Sequence, residues 1–234
     1  MGKRELEHFY IGNSYGGNQD WFRSFMMRIG GCGAETACDS SLYFALNMGI
    51  EGIYPFDAGN LSKRDYVDFA HMMEKYLWPR MSGIDRTGIF VDGYAKYLRD
   101  RGVDCISMTT LEGTEPYGAA AAAIRKQIDS GFPVPTLILN HRDRRFSDYN
   151  WHWFLINGYE TRGDGQDPAD AGKIAEAGDT ADAGDTADAG DTVEEDGMLV
   201  RAVTYSSYEW LDLRRLWDTG HVRRGGLVLF EADK

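Results

Sequence analysis

The sequence predicts an α+β fold in a single domain, 1–234. Three observations carry this reading. Helical periodicity gathers in the first half, apolar strand-like runs gather in the second, and 43% hydrophobic with 13% aromatic content is ample for one core. The pair Gly30-Gly31 precedes a helix from Cys32 to about Asn47, with Ala37, Ser41, Phe44, Ala45 and Met48 at three- and four-residue spacing. Ser62 can cap a second helix, whose inward stripe is Tyr66, Phe69, Ala70, Met73 and Leu77 and which Pro79 ends. A third helix runs from about Gly88 to Arg101 with Gly102 after it, and a fourth from about Pro116 to Ser130 with Gly131 after it. Strands are expected over Val103–Thr109, Val134–Asn140, His152–Tyr159, Leu199–Tyr205 and Leu227–Glu231, mostly antiparallel. The His152 strand is apolar or aromatic on both alternating faces, which predicts a central strand covered on both sides.

The formal net charge of -12 is concentrated in one place. Residues 162–197 hold 12 acidic and 2 basic side chains, whereas the rest of the chain has 25 acidic and 23 basic, so the body is nearly neutral. Within the segment AGDTAD begins at Ala177 and Ala183, and a truncated copy begins at Ala189. Lacking aromatic residues, the segment cannot bury enough apolar surface to offset the entropy of ordering it, and it reads as a disordered, solvated insert between two strands. Its aspartates lack the ligand spacing and turn glycine of an EF-hand loop.

No run of about 18 apolar residues predicts a membrane span, and the charged start MGKRELEHFY lacks a signal peptide's apolar core. The expectation is a soluble, cytoplasmic protein with no membrane and no nucleic-acid partner. Neither GxxxxGK nor GxGxxG occurs, there is no CxxC pair, and no cofactor or metal is expected. Three cysteines (Cys32, Cys38, Cys105) make a disulfide framework a poor explanation and raise the question of a reactive thiol.

The chemistry-bearing stretch is Gly30-Gly31-Cys32-Gly33-Ala34-Glu35-Thr36-Ala37. A cysteine at a helix N-terminus meets unpaired N–H groups and the positive end of the helix dipole, both of which favour thiolate, while glycines let a substrate backbone approach. His152, on a strand roughly 120 residues further on, could take the thiol proton and later protonate a leaving group. The bland alternatives are a small cysteine filling a tight turn and a core histidine between Trp151 and Trp153.

GGCGAETACDS followed by a helix, IRKQIDSGFPVPTLILN, and then WHWFLINGYE together resemble the papain-like cysteine peptidases of the bacteriocin-leader-processing (double-glycine) type and their stand-alone relatives. The resemblance covers about Gly30 to Tyr159 as an ordered set of motifs, with Tyr205–Phe230 as a continuation. IGNSYGGNQDWF and Ser206-Ser207-Tyr208 also look like those of a bacterial branch with this fold. The resemblance implies a papain-like fold, a helical first half whose Cys helix packs on an antiparallel sheet carrying the histidine. It implies Cys32 as nucleophile and His152 as general base in a thiol-dependent hydrolase of a peptide or isopeptide bond. The substrate would be a peptide or protein.

Two family positions depart from the pattern. Met26 stands where the family has an oxyanion-donating glutamine, and Gln19 is the chosen substitute over Asn18 and Asn13. Where the family has an asparagine or aspartate to orient the imidazole, this chain has Thr204-Tyr205-Ser206-Ser207, of which Ser206 is chosen. Those departures keep open an acyltransferase or amidase on the same fold, and a catalytically degenerate binding module. Asn157 falls on the strand face opposite His152, Cys38 lies on a different helix face from Cys32, and His141–Arg145 reads as a solvated loop.

Overall fold

The computed structural model describes residues 2–79, 83–161 and 197–232. In chain order the elements are β1 (Lys3–Glu5), the hairpin β2 (Tyr10–Ile11) and β3 (Ser14–Tyr15), a 3-10 turn (Gln19–Trp21), α1 (Phe25–Gly30), α2 (Cys32–Asn47), α3 (Lys63–Glu74), α4 (Thr87–Asp100), β4 (Ile106–Glu112), α5 (Tyr117–Asp129), β5 (Val134–Ile138), a second 3-10 stretch (Arg144–Tyr149), β6 (His152–Thr161), β7 (Met198–Thr204), β8 (Ser207–Asp212), α6 (Leu213–Trp217) and β9 (Gly225–Ala232). The main sheet runs β4-β9-β5-β6-β7-β8, and β1 continues beside the second half of β6. Every pairing among the described residues is antiparallel, so the architecture is α+β with helices packed on an antiparallel sheet.

Local sequence explains the boundaries. The Ser62 hydroxyl accepts the Asp65 N–H and starts α3 as expected of an N-cap. The strand expected from Val103 begins instead at Ile106, because Gly102 turns left-handed (φ 72) and the Val103 N–H closes back on the Leu98 carbonyl. Val103 therefore completes the end of α4. Elements α1, β8, α6 and the N-terminal strands add to the expected set; β1 is exposed and joins β6 through its backbone and a Lys3–Glu160 ion pair at 3.9 Å, leaving no hydrophobic alternation to detect.

Strand β6 is central, with its first eight residues buried. Its faces are distinct. On one, Trp153 stacks on Phe90 of α4 at 4.5 Å, and Phe230 of β9 meets Phe44 of α2 at 4.9 Å. The other presents His152, Phe154 and Ile156, with Tyr149 packed at 4.8 Å on Phe154. Helix α2 is the buried axis: every residue from Cys32 to Phe44 is buried, which accounts for its lack of a polar stripe.

The junction between α1 and α2 is a single residue. Gly31 ends the first helix and caps the second, and a Cβ there would lie 2.2 Å from the Met27 carbonyl oxygen. Only glycine lets two helices meet so closely, and this meeting makes Cys32 the first residue of α2.

Residues 162–196 lie outside the described residues, and with them the expectation of a disordered insert. Their anchors are informative. Thr161 pairs with Met198 across β6 and β7, so the chain re-enters the sheet where it left, at the end of β6 remote from His152. No helix among the described residues is long and apolar enough to cross a membrane. Replacing residues 162–197 by an Asn-Gly turn is expected to leave the melting temperature within about 5 °C of the parent or raise it, read by calorimetry. Cooperative loss of the fold would mean that the segment contributes to the core.

Candidate active site

Cys32 and His152 each stand first in their element, and the two elements abut. The backbone N–H of Trp153, the residue after His152, faces the Cys32 thiol, as do the N–H groups of Gly33 and Cys32 itself. These amides favour thiolate. Burial opposes them and dominates: the side chain is 4% exposed, and desolvation, helped by the Glu35 carboxylate one turn on, pushes the thiol up to about 11. A helix N-terminus alone suggested a depressed thiol; the structure reverses the sign because the terminus is dry.

His152 is 3% exposed, and burial pushes its imidazole down to about 4. Its Nε2 hydrogen-bonds the Thr204 hydroxyl at 2.6 Å. The Tyr205 ring lies over the imidazole at 4.9 Å and 4°, with Phe154 near parallel at 6.3 Å. With Nε2 engaged, Nδ1 is the nitrogen left for proton exchange. No hydrogen bond joins Cys32 Sγ to the ring among the described residues, and at neutral pH both groups are uncharged.

The hydroxyl bonded to the imidazole is Thr204, and not the Ser206 expected from the sequence. Pairing sets this choice: Ile156 is opposite Ala202, so alternation puts His152 and Thr204 on one face, whereas Ser206 lies beyond the strand in the β7–β8 turn. The Ser206 hydroxyl accepts a bond from Asn18 Nδ2 at 3.1 Å. Both turn residues are left-handed, Tyr205 at φ 48 and Ser206 at φ 65, the conformation of a two-residue hairpin loop that normally selects Asn-Gly. Such backbone costs about 1–3 kcal/mol per residue and persists only where surroundings impose it.

The surroundings are the segment 15–19. Tyr15 N–H donates to the Ser206 carbonyl at 3.0 Å, and Ser206 N–H donates to the Gly17 carbonyl at 3.0 Å. Gly17 in turn donates its N–H to both Asp39 carboxylate oxygens at 3.2 and 3.1 Å, and Gln19 donates its N–H to Glu35 Oε2 at 3.2 Å. Tyr66 donates its hydroxyl to Asp39 Oδ1 at 2.6 Å, and a Cβ on Gly17 would overlap that hydroxyl. Burial pushes Asp39 up to about 7 and Glu35 upward as well, and pushes His8, 3.9 Å from Asp39, down to about 3.

Gln19 is held against the first turn of α2 through Glu35. One side-chain N–H donates to the Arg28 carbonyl at 3.0 Å, and Oε1 is buried without a partner. Asn157 is engaged with Arg201 and Tyr15, away from the site. Cys38 is fully buried, and His141 bonds the Arg215 carbonyl at the start of a 3-10 stretch that buries Phe146 and Tyr149. Among the described residues no group of three or more His, Cys, Asp or Glu side chains is placed to hold a metal ion. Sequence reasoning chose Ser206 over Thr204 as the imidazole's partner, and it missed Tyr205, Glu35 and Asp39; Thr204 and Ser206 share one parity, so strand alternation could not separate them.

Replacing Tyr205 by Gly removes both the left-handed strain and the ring that shields the imidazole. The His152 titration, followed by histidine side-chain NMR, is expected to rise from about 4 toward 6.5 as water replaces the ring; an unmoved value would mean that burial by Phe154 and Tyr149 suffices. No protein-family model, no curated protein and no solved structure matches this chain.

Proposed function

We propose that the chain is a cysteine-dependent acyl-transfer enzyme, a papain-like hydrolase of a peptide or isopeptide bond with Cys32 as nucleophile and His152 as base. One observation carries the reading: a helix-N-terminal thiol faces the backbone amide that follows a histidine whose far nitrogen is held by a hydroxyl. A nucleophile and a base on the first residues of abutting elements, with the base oriented by a third group, is the arrangement such chemistry needs.

The charge states point to a neutral mechanism. As Cys32 Sγ attacks the carbonyl carbon, His152 Nδ1 takes the thiol proton, and the carbonyl π pair moves to oxygen. Amides at the start of α2, with the remaining N–H of Gln19, are the donors for that oxyanion, each worth about 2.7–4 kcal/mol in such sites. Collapse breaks the C–N bond and the imidazolium gives its proton to the leaving amine. Water, deprotonated by His152, then cleaves the thioester and restores the thiol. An amine replacing that water would make the same site an acyltransferase.

A second reading, a binding module that has lost catalysis, is favoured by the burial of both groups and by the Gln19 bond to Arg28. The two readings separate in one experiment. Intact-mass and peptide mass spectrometry of protein treated with a peptidyl vinyl sulfone is expected to find the adduct on Cys32 and not on Cys38 or Cys105. Its rate should rise with pH through about 4, as His152 loses its proton, and stay level to about pH 10. His152→Ala should lower the level part by about 100-fold or more, the usual scale of general-base assistance. Labelling that follows only thiolate formation near pH 11, equally in His152→Ala, would leave the binding module.

A further inference from the structure

Beyond His152, on the side away from α2, the β7–β8 ribbon borders an open concavity of about 270 Å³ whose wall includes Thr204, buried Tyr149 and exposed Ser207 and Glu209. Pairing aligns it with the site: Thr204 is opposite Ser207 and Ala202 is opposite Glu209, so Glu209 stands on the sheet face that carries His152. The Tyr149 ring is 6.3 Å from the imidazole, and its hydroxyl donates to Glu209 Oε1 at 2.5 Å. That bond fixes the carboxylate and leaves Oε2 uncommitted; no cation among the described residues pairs with Glu209.

Glu209 and Asp148 act on the Tyr149 hydroxyl, and Asp148, Asp20 and Glu35 act on Tyr205. Arg201 lies 5.2 Å over the ring of Tyr208, which also lines the cavity, and is itself bonded to Glu5 and Asn157. The concavity on the opposite flank, near Asp85 and Leu139, has cations in its wall: Arg223 is paired with Asp85, and Arg224 lies 3.7 Å from Asp218.

We infer that the Glu209 cavity is the subsite for a cationic group, a lysine or arginine side chain, on the leaving-group side of the substrate. The inference rests on the acyl-transfer reading for its orientation. His152 gives its proton to the departing amine from Nδ1, so that half of the substrate starts at the imidazole and reaches the cavity by passing the ring toward Thr204, which holds Nε2 and borders the cavity. An aromatic wall beside a fixed carboxylate holds an ammonium or guanidinium by ion pairing and cation–π attraction.

Vinyl sulfones test this, because their sulfonyl substituent occupies the leaving-group position. In labelling, the Sγ–C bond forms as the C=C π bond opens, and the thiol proton passes through His152 to the adjacent carbon. Four probes differ only in that substituent: aminopropyl, guanidinopropyl, propyl and carboxyethyl. Cys32 is expected to react about tenfold faster with the two cationic probes than with propyl, and slowest with carboxyethyl, as one charge-assisted contact provides. Glu209→Gln should bring cationic and neutral rates to parity, and Glu209→Lys should favour carboxyethyl. Equal rates in the parent, or a cationic preference that survives Glu209→Gln, would overturn the subsite. Labelling by none of the four would instead overturn the acyl-transfer reading. The cavity is then judged alone: NMR shifts at Glu209 and Tyr149 with millimolar methylguanidinium, lost in Glu209→Gln, would support it, and their absence would refute it.

Discussion

Burial of α2 from Cys32 to Phe44 is the constraint on which the rest of this structure depends. A helix inside a domain must satisfy each polar side chain it carries from within. Ser40 and Ser41 turn back to carbonyls four residues earlier, and Ser41 also bonds the Tyr94 hydroxyl. Glu35 and Asp39 cannot do this. Their oxygens are met by backbone N–H groups of Gln19 and Gly17, and the segment that brings those amides is thereby fastened across the helix start. The same segment holds the Tyr205–Ser206 turn in its left-handed form, and that turn stacks a ring on His152. Two buried carboxylates in the first two turns of a helix are in this way connected to the imidazole's environment.

Burial also decides the state of the Cys32 thiol and the His152 imidazole. Moving a proton from a thiol near 11 to an imidazole near 4 costs about 9–10 kcal/mol at 1.36 kcal/mol per unit, before the two charges attract each other. A contact ion pair at ~4 Å in an effective dielectric of ~20 recovers only about 4 kcal/mol. The neutral pair wins, although the thiol sits at a helix N-terminus. On the acyl-transfer reading proposed above, proton transfer is therefore coupled to bond formation or to substrate contacts that replace the lost hydration, which is the general-base route.

The parts of this arrangement that were legible in the sequence are those with local signatures. The glycines before Cys32 and the spacing after it mark α2; Ser62 marks α3; the doubly apolar run after His152 marks a central strand. The site's third member was harder to place, because choosing between Thr204 and Ser206 needs the register of β6 against β7, a tertiary quantity. The β7–β8 turn was obscured by its residues: Tyr-Ser occupies backbone that Asn-Gly usually takes, so no turn signal separates the two strands. The sign of the Cys32 shift was illegible for a related reason. Helix position can be read locally, whereas desolvation depends on everything packed around the residue.

That unusual turn has its own energetic logic. An Asn-Gly pair would satisfy the left-handed positions at little cost, yet would leave the imidazole face open to water. Tyrosine at the first position accepts backbone strain of about 1–3 kcal/mol and in return covers a neutral ring whose polar partner among the described residues is one hydroxyl. Aromatic stacking of this kind contributes about 0.5–1.5 kcal/mol beyond area burial, so stacking alone leaves part of the strain uncompensated. The remainder is carried by hydrogen bonds from Tyr15, Asn18 and Ser206 that join the turn to the N-terminal segment. The conformation of Tyr205 is therefore a property of the assembled domain, and the dryness of His152 depends on residues that lie nearly two hundred positions before Tyr205 in the chain.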